Sequence, residues 1–176
     1  MIVTNRMRLV PATVALAQAE LTSRAEFARL LSATVPDEWP PEILADALPT
    51  FLEFIEAAPD QIGWFVWYAI VRGPGETSGI LAASGGFKGP PCDGTVEIGY
   101  SVLPRFQGQG FATETVRALV DWAFAQPGVS RIIAETTEGN VASMRLLHKL
   151  GFTGSEPGVE PGHIRLVLSR PGAGAR

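Results

Sequence analysis

One short stretch contains the most informative candidate ligand-binding residues, Arg105-Phe-Gln-Gly-Gln-Gly-Phe-Ala-Thr-Glu114. This stretch follows an alternating run typical of a strand and opens an amphipathic run typical of a helix. Two glycines at such a junction let the backbone turn tightly and leave N–H groups with no side chain in front of them. The helix start adds unpaired N–H groups and the positive end of a dipole. Together these features predict a cradle for a phosphate or pyrophosphate.

Other phosphate-binding loops fit these glycines poorly. A Walker-type loop requires Gly-Lys-Ser/Thr, and that sequence does not follow here. A dinucleotide fingerprint would have a third glycine where this chain has Thr113, and a strand–helix–strand unit would open the chain. A glycine-rich loop that binds no ligand also stays open as an interpretation, because a lone glycine motif is a weak signal.

Three motifs in a consistent order resemble the GNAT superfamily of acyl-CoA N-acyltransferases. Gln107-x-x-Gly110-x-Ala112 is similar to the Gln/Arg-x-x-Gly-x-Gly/Ala signature of that family. The run from Asn140 to Phe152, which ends in Lys-Leu-Gly-Phe, resembles its second signature. The run from Glu97 to Pro104 resembles its fourth strand, especially in the RimJ/RimL-like branch. The resemblance covers roughly residues 94–153 and is specific for the family, but it says little about the substrate.

The resemblance implies acetyl-CoA as co-substrate and indicates where it would bind. The main-chain N–H groups of the glycine loop would hold the CoA pyrophosphate. The open edge at Val102 and Leu103 would pair with the pantetheine arm, and Asn140 would bind near that arm, cap its own helix, or do both. The predicted loop residues are Gln107, Gly108, Gln109, Gly110, Phe111, Ala112 and Thr113.

Acyl transfer to an amine needs a positioned thioester, a base for the ammonium, a donor for the oxyanion and an acid for the thiolate. Glu97 is the candidate base, because it lies on the polar face of a strand whose other face is apolar. By resemblance, an acid at this strand position often acts in the family. A glutamate that only forms a salt bridge within the fold is the alternative. A main-chain N–H near Ser101 or Val102 is the candidate oxyanion donor, since many family members have a bulge there.

The candidate acid departs from the commonest family pattern. Many family members have a tyrosine seven residues after the helix-opening asparagine, and this chain has Leu147 there. The RimJ/RimL-like branch has a serine three residues after the asparagine, which here is Ser143. Its hydroxyl could hold or protonate the CoA sulfur, or it could bond back to a helix carbonyl.

The acceptor is the part of the reaction that the sequence determines least. The resemblance implies a primary amine, either a small molecule or a protein N-terminus. It also implies a pocket built partly by residues 34–41, where Trp39 is the candidate wall. Transfer of a larger acyl group such as succinyl, or a CoA-binding sensor or partner domain without turnover, are the competing interpretations. The oligomeric state is open, and a homodimer is one option.

Composition predicts a single folded domain over residues 1–170 with a flexible tail over residues 171–176, because 176 residues with 46% apolar content can bury a sizeable core. The formal net charge of −4 gives no footprint for nucleic acid or for an anionic membrane. The single Cys92 suits a reducing cytoplasm, and the first residues do not show a signal-peptide pattern. The two histidines, His148 and His163, lack metal-ligand spacing, so we expect no metal.

The elements that must position these residues alternate between helix and strand. Pro49 should kink or split one of the helices. This order predicts an α/β fold of three layers, with a mixed central sheet flanked by helices. The resemblance implies that the strand with Glu97 and the strand over 131–135 run parallel and splay apart, with the CoA arm in the gap. We predict strands over 6–10, 63–72, 80–87, 95–103 and 131–135, helices over 13–20, 23–31, 44–55, 111–126 and 141–150, and a final hairpin over 152–168.

Overall fold

A computed structural model describes residues 1–73 and 79–171 of the chain. Within these residues the strands are β1 (Ile2–Val3), β2 (Met7–Pro11), β3 (Val66–Arg72), β4 (Gly79–Phe87), β5 (Thr95–Val102), β6 (Arg131–Thr137), β7 (Thr153–Pro157) and β8 (His163–Ser169). They form one mixed sheet in the order β1-β2-β3-β4-β5-β6-β8-β7. The flexible tail predicted over residues 171–176 lies outside the described residues from residue 172 onward.

The helices begin where the sequence provides caps. The Thr13 side chain accepts a hydrogen bond from the N–H of Leu16, and the Ser23 side chain accepts one from the N–H of Glu26, as the capping pattern predicts. Pro49 lies in the first turn of its helix, where its missing N–H costs little. The predicted run is therefore split into two helices, and the break lies just before Pro49. The helices are α1 (Val14–Thr22), α2 (Arg24–Leu31), α3 (Glu42–Ala45), α4 (Leu48–Ala57), α5 (Phe111–Ala125) and α6 (Val141–Lys149), with a 3-10 turn at Pro104–Phe106.

The sheet changes from antiparallel to parallel pairing at one place only within the described residues. Strands β1 to β5 pair antiparallel in sequence order, and β5 then pairs parallel to β6. That parallel ladder runs over four residue pairs, from Thr95↔Arg131 to Ile98↔Ala134. Beyond it β5 continues to Val102 and β6 to Thr137 without pairing to each other. The two strands therefore splay apart, and a gap opens in the sheet.

Two hydrophobic clusters cover the two faces of the sheet and make the three-layer arrangement. One cluster joins alternate residues of β5, such as Val96 and Ile98, to the buried side of α5 and to α6. The other joins β3 and β4 to α1, α2 and α4, with Phe27 and Tyr68 among its fully buried members. This confirms the predicted α/β class and the mixed sheet flanked by helices. Of the helices in the described part of the chain, not one is long and apolar enough to cross a membrane.

Candidate functional site

A cavity of about 770 Å³ opens where β5 and β6 splay apart. Its walls are the end of β5, the glycine loop with the start of α5, the end of β6 and the first turns of α6. The structure thus brings together residues that lie up to 42 positions apart in sequence, from Ser101 to Ser143. The predicted site residues that line it are Ser101, Val102, Gln107, Gly108, Gly110, Phe111, Ala112, Thr113, Asn140 and Ser143.

The glycine loop has the geometry that an anionic group requires. Gly108 and Gly110 have φ values of 72° and 84°, a backbone region that other residues enter at a cost. A side-chain carbon at Gly108 would meet nothing within 4 Å, so this glycine faces open space. The first hydrogen bond inside α5 runs from the N–H of Glu114 to the carbonyl of Gly110, at 3.1 Å. The amides of residues 111–113 precede that bond and are available at the positive end of the helix, which suits a pyrophosphate.

Arg6, from the N-terminal hairpin, holds the glycine loop in place. Its Nη1 donates to the carbonyl of Gln109 at 2.9 Å, and its Nε donates to Glu114 at 2.7 Å. Its guanidinium also lies 4.4 Å from the ring centre of Phe111. Sequence reasoning missed this residue, because the contact joins positions more than 100 residues apart. The side chain of Gln109 turns back to donate to the carbonyl of Arg105, so Gln109 supports the loop and does not line the cavity.

The open edge of β5 is formed by the main chain of Tyr100 and Val102. The N–H of Lys88 donates to Glu97, and the N–H of Leu103 donates to Ala82. Since hydrogen-bonding direction alternates along a strand, odd-numbered residues of β5 bond to β4 and even-numbered residues point toward the gap.

This alternation corrects two of the expected positions. Leu103 does not belong to the open edge, because its N–H bonds to β4 and its side chain is fully buried. The N–H of Ser101 likewise points toward β4, so the available oxyanion donors are the N–H groups of Tyr100 and Val102. The bulge of many family members is also not found here, since the β4–β5 register runs without a shift from Ile98 to Val102. The carbonyl of Val102 accepts from Nε2 of Gln107 at 3.0 Å, which links this edge to the glycine loop.

Glu97 forms an ion pair with Lys88, and its side chain is 18% exposed. It lies on the opposite face of β5 from Tyr100, because the two are three residues apart on a strand. It is not one of the residues that line the cavity. Its contact in the structure is therefore the salt bridge that the sequence left as the alternative, and it lies within the parallel ladder, opposite Ile133 and one pair before the strands diverge.

A second carboxylate, Glu135 of β6, does line the cavity. Its side chain is 8% exposed and accepts from Nη2 of Arg165 at 2.7 Å and from the N–H of Val159 at 3.1 Å. Burial alone would raise the pKa of Glu135, but the hydrogen bonds from Arg165 and Val159 together hold that pKa below its usual range. Glu135 is thus a fixed negative charge at the β6 side of the gap, and His163 lines the cavity near it.

The first turn of α6 brings Ser143 to the other side of the gap. Asn140 caps this helix, since its Oδ1 accepts from the N–H of Ser143 at 3.1 Å. The Ser143 hydroxyl lies 2.9 Å from the phenol oxygen of Tyr100. Burial raises the pKa of Tyr100, and the hydrogen bond with Ser143 acts against that rise. Leu147 is 1% exposed and belongs to the hydrophobic core.

The structure does not bring Trp39 to this cavity. Trp39 is 5% exposed, and its indole N–H donates to Glu20 at 2.8 Å. The Tyr68 hydroxyl donates to the other oxygen of the same carboxylate at 2.6 Å. Burial raises the pKa of Glu20 against the effect of these two donors. Trp39 therefore anchors the segment over residues 34–41 to the hydrophobic cluster that contains α1.

Comparison with known proteins agrees with this fold. The model of the Acetyltransferase (GNAT) domain matches residues 6–153. The chain therefore belongs to the GNAT acetyltransferase family.

Individual relatives cover nearly the whole chain. It is similar to the uncharacterized N-acetyltransferase YjdG of Bacillus subtilis (strain 168), with 28% identity over 85% of this chain and 87% of that protein. Among solved structures, yncA from Salmonella typhimurium, a putative acetyltransferase with its cofactor acetyl-CoA, gives a TM-score of 0.60 at 25% identity, covering 97% of this chain and 98% of that one. RimL, a ribosomal L7/L12 alpha-N-protein acetyltransferase in complex with coenzyme A, shares the fold at a TM-score of 0.63 and 19% identity, with 96% of each chain covered.

Proposed function

We propose that the protein transfers an acetyl group from acetyl-CoA to a primary amine, by direct attack while both substrates are bound. The observation that carries this proposal is the cavity at the splayed strands. It combines the glycine loop, the open edge at Tyr100 and Val102, and the hydroxyl of Ser143 in one continuous space. Family membership and the acetyl-CoA bound to the similar yncA structure support the choice of co-substrate.

The residues present fit that co-substrate along its length. The amides of residues 108–113 would hold the pyrophosphate, whereas the N–H of Gln107 already donates to the carbonyl of Pro104 at 3.1 Å. The exposed Arg145 and Lys149 at the same cavity add positive charge. The main chain of Tyr100 and Val102 would pair with the amides of the pantetheine arm, as an added strand does. With the arm bound in this way, the thioester would lie between Tyr100 and Ser143. The bound co-substrate would supply an acetyl group, with the CoA thiol as the leaving group.

Glu97 is the proposed base for the attacking ammonium. It lies across β5 from Tyr100, so the amine and the thiol would be handled on opposite faces of the sheet. Lys88 must then yield part of its contact with Glu97 when the amine binds. The N–H of Tyr100 is the proposed donor to the oxyanion, while its carbonyl and the N–H of Val102 pair with the pantetheine arm.

The acceptor is proposed to be a cationic amine, either a small molecule or a protein N-terminus. The carboxylate of Glu97, the proposed base, suits an acceptor that arrives as an ammonium. RimL is a ribosomal L7/L12 alpha-N-protein acetyltransferase. Ser143 occupies the position typical of the RimJ/RimL-like branch, and we propose that this chain belongs to that branch. The one cysteine, exposed Cys92, suits the reducing cytoplasm as the site of action.

Acetyl-CoA should stabilise the protein through binding to the folded state. At about a hundred times its dissociation constant it would add about 2.7 kcal/mol, which raises Tm by several degrees. Gly108→Asn should abolish most of this rise, because a side chain would fill the cradle while asparagine tolerates the positive φ. Gly128→Asn is the matched control: it has a φ of 80°, open space around it and no part in the cavity.

Turnover with a panel of amines, followed by detection of the released thiol, tests the reaction itself. Stabilisation by acetyl-CoA without turnover on a broad panel would favour a CoA-binding sensor. A preference for succinyl-CoA would favour the larger acyl group. A full Tm rise in Gly108→Asn, or an equal loss of the rise in Gly108→Asn and Gly128→Asn, would contradict the proposed site.

A further inference from the structure

The cavity contains two side-chain hydroxyl groups in direct contact with each other. Tyr100 reaches it from β5, and Ser143 reaches it from the first turn of α6, with their oxygens 2.9 Å apart. Either oxygen can donate across this contact. Both side chains are half-buried and line the space in which the thioester is proposed to lie.

Serine alone is a weak source of a proton, because its hydroxyl is far less acidic than a phenol. A hydroxyl can accept one hydrogen bond while it donates another, so Ser143 can accept from Tyr100 and donate to a third atom. Such chains polarise each other in a poorly solvated site. Burial raises the pKa of Tyr100, so the phenol carries its proton at neutral pH.

We propose that Tyr100 supplies, through Ser143, the proton that the departing CoA thiolate takes up. This inference rests on the proposed function, which provides the thiolate. As the carbon–sulfur bond breaks, the sulfur takes the Ser143 proton and Ser143 takes that of Tyr100. The resulting phenolate then recovers a proton from water in the open cavity. The net change is that the thiolate gains a proton from water and leaves hydroxide, which the proton removed from the acceptor ammonium then neutralises.

The main test needs no acceptor amine, because it follows the ionisation of the phenol by near-ultraviolet absorbance during a pH titration. Binding of CoA should move the ionisation of Tyr100 to higher pH, since a thiolate beside a phenolate disfavours the second negative charge. Desulfo-CoA, which lacks the sulfur, should produce a clearly smaller shift. Tyr100→Phe identifies the signal by removing it, and Ser143→Ala should reduce the difference between the two ligands. An equal shift with CoA and desulfo-CoA would overturn the inference.

Kinetics provide the second readout. Tyr100→Phe should lower kcat by about a hundredfold, with little change in the Kd for acetyl-CoA. The double variant with Ser143→Ala should be no slower than the slower single variant, because the pair acts as one unit. Tyr68→Phe is the matched control: it removes a phenol hydroxyl on the other face of the sheet and should lower Tm without lowering kcat.

The two hypotheses fail in different ways. A sulfur-dependent shift at Tyr100 without turnover on any amine would overturn the proposed function and leave the pairing of Tyr100 with the sulfur intact. Normal turnover by Tyr100→Phe would overturn the role of Tyr100 and leave the acetyltransferase function standing.

Discussion

At the scale of single residues, the charge next to Glu97 decides how this carboxylate can act. Glu97 is ion-paired with Lys88 on the face of β5 away from Tyr100. A base in this position must exchange a lysine ammonium for the ammonium of the acceptor.

Glu97→Gln should lower kcat by about a hundredfold, since a general base commonly contributes that much, and should leave the Kd for acetyl-CoA unchanged. The rates are read from steady-state kinetics with the acceptor amine, and the Kd from a titration with acetyl-CoA. Glu138→Gln, at an exposed residue after β6, is the control. Unchanged rates for Glu97→Gln would remove it as the base.

The sequence predicted which face of a strand a side chain occupies, but not which main-chain groups or side chains are in contact. The strand period correctly put Glu97 and Tyr100 on opposite faces. The open edge was expected at Val102 and Leu103, but the N–H of Leu103 bonds to β4. The side-chain pattern does not reveal which main-chain groups face β4. The contact between Tyr100 and Ser143 joins two elements 43 residues apart, and only the tertiary fold brings them together.

At the scale of elements, the N-terminal hairpin and the start of α5 are tied by one carboxylate. Glu114 accepts from the Thr4 hydroxyl at 2.6 Å, from the N–H of Arg6 at 2.9 Å and from Nε of Arg6 at 2.7 Å. Burial alone would raise the pKa of Glu114, but these donors together hold that pKa below its usual range. The hairpin thereby fixes the position of the glycine loop through Arg6.

Glu114→Gln should lower the free energy of unfolding by about 1 kcal/mol at neutral pH. Because the pKa of Glu114 is lower in the folded state, its contribution is present above the unfolded value of about 4.3 and is lost as pH falls through the folded value. Urea unfolding at neutral and acidic pH should show the difference between wild type and variant shrinking in acid. Glu53→Gln, at an exposed residue of α4, should show no such trend. A constant difference across pH would contradict this account.

Element boundaries were predicted well where a cap or a proline marks them. Thr13, Ser23 and Asn140 cap helices at the expected places. The strand predicted from Gly63 begins instead at Val66, because Gly63 has a φ of 97° and its carbonyl accepts from the indole of Trp67. The two-residue strand β1 was missed, since a strand this short has no period to detect and depends on its pairing with β2.

At the scale of the whole molecule, the sheet consists of two antiparallel parts joined by one short parallel ladder. The four pairs from Thr95↔Arg131 to Ile98↔Ala134 connect β1–β5 to β6–β8 within the described residues. Beyond the ladder, the strands diverge and leave main-chain groups of β5 without a partner strand. A ligand arm that pairs with this edge would complete the sheet on the β5 side of the gap.

This arrangement predicts a residue-specific pattern of amide hydrogen exchange, measured by NMR. Acetyl-CoA should slow exchange at Tyr100 and Val102, whose N–H groups face the gap, and should change Gly99 and Ser101 little, because these already bond to β4. Adenosine 3′,5′-bisphosphate carries phosphates but no pantetheine, so it should slow exchange in the loop over residues 108–113 only. Protection of the odd-numbered residues of β5, or equal protection of Tyr100 and Val102 by both ligands, would mean that the arm does not pair with this edge. The alternation along one strand therefore separates binding of the phosphates from completion of the sheet.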